Sequence, residues 1–402
     1  MIAAGSASAS DGNYQNYIVG ERAAGMGGAV TASASSVDAC YYNPAGLALT
    51  PASTISLSAS LYGFSRFQVD DGWYPGENLD IDSFVTIPST FGSIWKVNDD
   101  LALSISAFIP DRSSNNDLEA FVGDSHFFKY NLDDQTLWIG PSAGYRLSPK
   151  LTCGVSIFGV YRTFSWFRDW LFGDYGTSVS EDIKYNDLSL AAVLGARYAL
   201  DERWALGLSV QTPSLHVTGD GKYLIKRISS TGTLQGSYVE DADTENKIPT
   251  RVTAGVSYQA SPRLGLGLDL TYHFSASFNR FEGYDQFGTF WTYPLRREAT
   301  CDVNLGGEYY VMDNYPLRLG FFTSRSSAPE TEIETSYYPA QIDKYGITMS
   351  AGRESEHTTL NFGVNYVWGS GDFVGWRTPT QMDIVDAQES YLYIFLASSY
   401  IF

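Results

Sequence analysis

The chain has 402 residues, with 45 acidic against 26 basic side chains, a formal net charge of −19, and 44 % hydrophobic and 15 % aromatic content. The acidic balance speaks against a nucleic-acid partner, which needs clustered Lys and Arg, and the aromatic content is far too high for a disordered chain. No run of about 18 apolar residues is present, which excludes a helical membrane span but not a membrane β-barrel, whose alternating strands average to a mild hydropathy.

In chain order, residues 1–9 end in a small-residue run from Ala3 to Ala9 that reads as the tail of a removed leader, with Ala7-Ser8-Ala9 as its cleavage site. Residues 10–50 lack strand periodicity and are rich in Gly, Ala and Ser. Gly25, Gly27 and Gly28 have neither the preceding strand nor the following Lys of a phosphate-cradling loop. Small residues suit a segment packed inside a narrow lumen, where backbone must approach backbone. Asn43-Pro44 predicts a rigid turn.

From about residue 53 the dominant signal has period 2. Its clearest stretch sets Leu264, Leu266, Leu268, Leu270, Tyr272, Phe274, Ala276 and Phe278 on one face and Gly, Asp, Thr, His, Ser and Asn on the other, as a strand between lipid and a wet lumen requires. Fourteen strands are predicted: 53–67, 82–97, 101–110, 135–147, 151–166, 184–200, 204–218, 248–260, 264–281, 296–311, 316–325, 343–353, 357–368 and 389–402. Six connections are tight and rich in turn residues, for example Asn98-Asp99-Asp100 and Ser148-Pro149-Lys150. Seven are long (68–81, 111–134, 167–183, 219–247, 282–295, 326–342 and 369–388) and together carry 27 acidic and 8 basic residues, leaving the rest of the chain neutral. Tight turns on the periplasmic side and long loops outside are the outer-membrane arrangement. The last strand alternates to a terminal Phe402, similar to the C-terminal signature read by the barrel-insertion machinery. The reading is an all-β chain: a transmembrane antiparallel barrel over 51–402 in the bacterial outer membrane, with 10–50 as a separate plug.

The run Asp38, Tyr41, Tyr42, Asn43-Pro44-Ala45-Gly46-Leu47 resembles the hatch of the FadL/TodX family of outer-membrane transporters for hydrophobic compounds. The resemblance implies a barrel plugged by an N-terminal hatch, with Asn43, Pro44, Ala45 and Gly46 at the gate. It further implies capture of a long-chain fatty acid or other hydrophobic small molecule by outer loops, and sideways release by the third strand. The run Met26-Gly27-Gly28-Ala29 also resembles PorV-like secretion accessories, which leaves a structural barrel that binds a protein partner as the alternative.

Prolines cannot donate to a β ladder, so Pro88, Pro110 and Pro141, in three neighbouring predicted strands, mark either early strand ends or a lateral opening at one height. Pro213 has no such companion and reads as a local bulge. By parity, Phe108, Trp138, Phe158 and Phe322 face inward, as do Arg146, Arg162, Arg251 and Arg318. The arginines either receive an amphiphile's carboxylate or pair with inward acids such as Asp269, Asp302 and Glu308. Phe121, Phe127 and Phe128, with Trp170 and Phe172, fall in predicted loops, as a capture surface or as anchors in lipid and lipopolysaccharide. Cys40, Cys153 and Cys301 and the four histidines have no ligand spacing, so no metal or cofactor is expected. No nucleophile elbow or spaced Ser/His/acid set points to an enzyme.

Overall fold

Side chains that alternate along an extended chain can serve two environments at once, and the computed structural model uses this along its whole wall. It describes residues 12–402 other than 75, 123–125, 334–338 and 379–380, with side chains described outside 57–61, 73–74, 77, 115–122, 126 and 376–378. The strands are β1 (Thr54–Tyr74), β2 (Glu77–Lys96), β3 (Leu101–Val122), β4 (His126–Arg146), β5 (Leu151–Phe172), β6 (Thr177–Ala199), β7 (Trp204–Gln211), β8 (Leu215–Ile228), β9 (Leu234–Thr244), β10 (Arg251–Ser261), β11 (Leu264–His273), β12 (Ala276–Tyr284), β13 (Phe290–Arg297), β14 (Thr300–Met312), β15 (Tyr315–Ser324), β16 (Gln341–Glu354), β17 (Thr358–Thr378) and β18 (Gln381–Ile401). Four wall strands come in two pieces, β7 with β8, β10 with β9, β11 with β12 and β14 with β13, each pair continuing along the same neighbours. The wall is therefore a 14-stranded antiparallel barrel, closed where β1 pairs with β18 from Thr54↔Ile401 to Val69↔Ala387.

The lower half carries the lipid-facing belt. Leu103, Ile105, Ile139, Ile157, Leu194, Leu208, Leu268, Leu305, Leu319, Met349, Phe362 and Leu396 are exposed large apolar residues on its outer face, an arrangement stable only in hydrocarbon. Trp95, Tyr145, Tyr198, Trp204, Tyr309 and Tyr400 stand near the tight-turn end, as an interfacial girdle does.

Six of the seven predicted long loops are mostly strand. β3 and β4 pair out to Val122↔His126, and β5 and β6 to Phe172↔Thr177. Strands of 20 to 23 residues are about twice what a bilayer needs, so the sheet stands above the membrane. The reason is a change of phase. Below, apolar residues point out, as Ile157 does; above, they point in, as Phe164, Trp166, Trp170 and Phe172 do on the same strand, all buried. The one connection that stays long joins β15 to β16.

Residues 12–50 lie inside the barrel and are almost wholly buried. They form two single-turn helices, α1 (Arg22–Gly25) and α2 (Ala39–Tyr42), and a 3-10 turn at Pro44–Leu49. The wall makes room for this segment with a belt of inward glycines on neighbouring strands. A Cβ at Gly154 would lie 2.2 Å from the Pro44 carbonyl carbon, at Gly195 2.0 Å from Asn43 Oδ1, and at Gly207 2.4 Å from the Thr31 carbonyl oxygen. At Gly267, Gly306 and Gly320 it would meet the backbone of Ala29, Met26 and Gly27 at 2.4, 2.4 and 2.2 Å. Backbone therefore packs on backbone around most of the lumen.

Candidate functional site

The inner segment is tied down by buried polar groups. The Asp38 carboxylate accepts from the N–H groups of Glu21, Arg22 and Ala23, each at 3.0 Å. Burial pushes this carboxyl above its ordinary value although the three donors pull it down. Gly20 (φ +103°) lies against it; a Cβ there would stand 2.5 Å from Asp38 Cγ. Asn43 Nδ2 donates to the carbonyls of Thr31 (2.6 Å) and Ala196 (3.0 Å), and its Oδ1 accepts from Ala45 N–H at 3.2 Å. Pro44 and Ala45 continue this turn against Gly144 and Gly154 of the wall, while Gly46 lies against the Ala34 carbonyl of the segment itself. At the periplasmic end Arg22 and Arg318 share Glu308, at 3.0 and 2.5 Å. Arg318 also meets Glu354 and Asn361, and Asn361 donates to Glu21. This cluster fastens the segment to β14–β17.

The wall is not evenly sewn. β2 and β3 pair from Lys96↔Ala102 to Thr90↔Phe108, and among the described residues no pairing continues beyond it. Above that point β2 pairs with β1 and β3 with β4. Pro88 and Pro110 stand just past the last pair, and β3 gains one residue against β4 between Phe108 and Asp111, a bulge that turns the strand aside. The freed Ile109 carbonyl accepts from Tyr17 Oη at 2.7 Å, and Asn16 Nδ2 reaches Asp111 Oδ1 at 3.2 Å. Burial raises the Tyr17 phenol well above its ordinary value, so it stays a neutral donor. Pro141 is not at this split. It faces Ile105, well below Pro110, on a β4–β5 ladder that resumes in the same register. Its missing donor costs the ladder locally because a strand paired on both edges holds its neighbours in place.

Two small adjoining cavities lie between the inner segment and this wall and share Tyr14, Tyr41, Pro110, Arg251 and His273. Tyr41 packs on Phe108 and Trp138 with ring centroids at 5.5 and 5.8 Å, and both of these meet Phe158. Arg251 sits 5.0 Å over the Tyr41 ring and makes no ion pair among the described residues. Arg162, by contrast, pairs with Asp134 at 2.7 Å, both buried, and Arg318 is held by Glu308, so these two are structural ion pairs rather than open cation sites. Phe128, Trp170 and Phe172 are not loop residues: they are buried inside the upper barrel, with Phe128 on Trp170 at 5.3 Å and Trp170 on Phe172 at 4.8 Å. Phe127 is half-buried, and the side chain of Phe121, like the small-residue run of 1–9, lies outside the described residues. Sequence reasoning missed Tyr17, Glu21 and Arg22, because nothing local marks a residue whose partner is some hundred or more positions away.

A closed barrel with an apolar outer belt and a buried N-terminal segment defines a plugged outer-membrane protein. Residues 1–374 match the family described as outer membrane protein transport protein (OMPP1/FadL/TodX), and the chain belongs to that family. It is thus a protein of the bacterial outer membrane, in a family of transport channels rather than enzymes. No curated protein sequence matches it significantly. Its fold is similar to a Pseudomonas putida toluene transporter TodX (16 % identity, TM-score 0.72, covering 97 % of this chain and 99 % of that one). It is likewise similar to a Pseudomonas aeruginosa FadL homologue (14 %, 0.71, 97 % and 100 %) and to the Ralstonia pickettii toluene transporter TbuX (15 %, 0.66, 97 % and 99 %).

Proposed function

We propose that the protein passively carries long-chain fatty acids or other hydrophobic small molecules from the cell exterior to the barrel wall and releases them sideways, with residues 10–50 as a movable hatch. The observation that carries this reading is the end of the β2–β3 ladder at Thr90↔Phe108, with Pro88 and Pro110 beyond it and Tyr17 behind. A hydrophobic solute gains about 25 cal/mol per Å² of apolar surface on leaving water, so an exit into lipid is downhill, whereas a route through the hatch to the periplasm is not. The aromatic upper interior, with Phe128, Trp170 and Phe172, offers the first apolar surface, and Phe108, Trp138 and Phe158 line the way down to the split. The similarity to transporters of toluene and to a FadL homologue supports this class of cargo. Uptake of a labelled long-chain fatty acid and of an alkylbenzene, by cells with and without the protein, tests it. Faster uptake of either probe is expected; equal uptake of both, with the barrel correctly inserted, overturns it.

A further inference from the structure

The wall is broken at a second place. β7 and β10 pair up to Gln211↔Arg251, and β8 and β9 resume at Asp220↔Asp243. Between these rows lie 212–219 on one strand and 244–250 on the other, with Pro213 and Pro249 as a second pair of residues that cannot donate. Pro213 therefore has a companion after all. The strands are held together here by the Ser214 N–H to Ile248 carbonyl bond and the Ile248 N–H to Ser214 Oγ bond, both 2.9 Å, and by Gln211 Nε2 on the Pro249 carbonyl at 3.4 Å. Leu215, His216, Val217 and Thr218 are exposed in succession, so both faces of this stretch are accessible. Segment 245–250 dips inward instead: buried Asn246 accepts from Arg162 at 2.6 Å and donates its N–H to Asp187 at 3.1 Å. The split at Pro88 is open upward; this break is bounded above and below, as a window is.

The two sides of the window differ in chemistry. Outside, Leu190, Leu215 and Phe274 are exposed at the top of the lipid-facing belt. Inside, Gln211, Asn246, Lys247, Ile248 and Arg251 line the larger cavity. Neither Lys247 nor Arg251 makes an ion pair among the described residues, and Arg251 instead donates to the Tyr41 carbonyl at 3.4 Å and lies over its ring. An apolar frame facing lipid with two cations behind it matches a molecule with a hydrocarbon tail and an anionic head, the tail left in the outer leaflet and the head in the lumen.

We infer that the window between Pro213 and Pro249 is a second lateral portal, the faster route by which anionic amphiphiles exchange between the outer leaflet and the lumen, while the split at Pro88 and Pro110 serves both classes of cargo and is the route of neutral hydrocarbons. This rests on the transport reading above. The test uses proteoliposomes of the full chain, with Cys153 and Cys301 replaced by serine, and two probes, a dye-labelled dodecanoate and a neutral alkylbenzene. Failure of the unmodified protein to move either probe counts against the transport reading itself. A Ser214→Cys, Ile248→Cys pair, its disulfide verified by mass spectrometry, is expected to slow dodecanoate exchange about tenfold, reversibly on reduction, and to leave the alkylbenzene rate unchanged. Lys247→Met, which needs no disulfide, is expected to slow dodecanoate alone. Wild-type dodecanoate exchange in both variants overturns the portal, and so does equal slowing of both probes.

Discussion

Tyr17 is the residue on which the inner segment and the split meet. Its hydroxyl is the donor for the Ile109 carbonyl at the bulge, and a buried carbonyl left without a donor costs about 1–3 kcal/mol. Tyr17→Phe keeps the ring against Tyr393 (5.3 Å) and removes only that donor. Uptake of a labelled alkylbenzene is expected to rise, because the segment then leaves the split more readily; an unchanged rate rules out a latch at this residue. Asp38 makes the opposite case. Asp38→Ala strands three N–H groups at the start of α1, at a cost on the order of 1–3 kcal/mol, whereas Asp38→Asn retains an acceptor. Hydrogen exchange of residues 21–23 should speed up strongly in the first variant and mildly in the second.

At the scale of elements, prolines mark where the wall comes apart and glycines where it makes room. Pro88→Val with Pro110→Val supplies two donors where the β2–β3 ladder stops, and is expected to extend the pairing and lower uptake; undiminished uptake by a correctly inserted variant would rule out an exit there. Gly154→Val sets a side chain where a Cβ alone would stand 2.2 Å from Pro44. Displacing the turn at Asn43–Pro44 should cost roughly 1–3 kcal/mol or more, read as a lower temperature for loss of the compact, heat-modifiable form on gels. Much of this level was legible in the sequence. The strand count follows from period 2, and the short turns from residues such as Ser148-Pro149-Lys150. The upper strands were not legible, because their apolar face changes from outside to inside near residue 163 of β5 and its counterparts. A phase change looks the same as a strand end when hydrophobicity is the only signal. The burial of Phe128, Trp170 and Phe172 was lost with it.

For the whole molecule, the charge distribution acquires a shape. The acidic surplus of the predicted loops belongs to the sheet that stands above the membrane, where Asp80, Asp82, Asp133, Asp220 and Asp243 are exposed on its outer face. Inside the barrel the balance is local, with Glu308 between Arg22 and Arg318 and Glu389 on Lys344 at 2.7 Å. The motif Asn43 to Leu47 pointed to the right region of the lumen, yet the pairing of Glu21 with Asn361 and of Asn13 with the Ile342 carbonyl spans more than three hundred residues and has no local trace. Because the glycine belt offers no side chains of its own, the lumen at that level is filled by the inner segment. Deleting residues 12–50 should therefore leave a wide hole, seen as a large, steady conductance in planar bilayers; a silent barrel would show that the wall closes by itself.

The belt also carries an order. Going forward along the wall from Gly154 and Gly195 through Gly207 and Gly267 to Gly306 and Gly320, the contacts step back along the inner segment, from Pro44 and Asn43 through Thr31 and Ala29 to the adjacent residues Met26 and Gly27, which β14 and β15 share. The segment therefore winds back along β5 to β15, its later residues seated on the earlier of these strands. The seats continue onto β16, β17 and β18, where Thr348 donates to the Gly25 carbonyl and Asn361 and Ser399 donate to Glu21. Closure of the barrel and seating of the segment are thus coupled, because residues 21–27 find their partners only once β14 to β18 are in place.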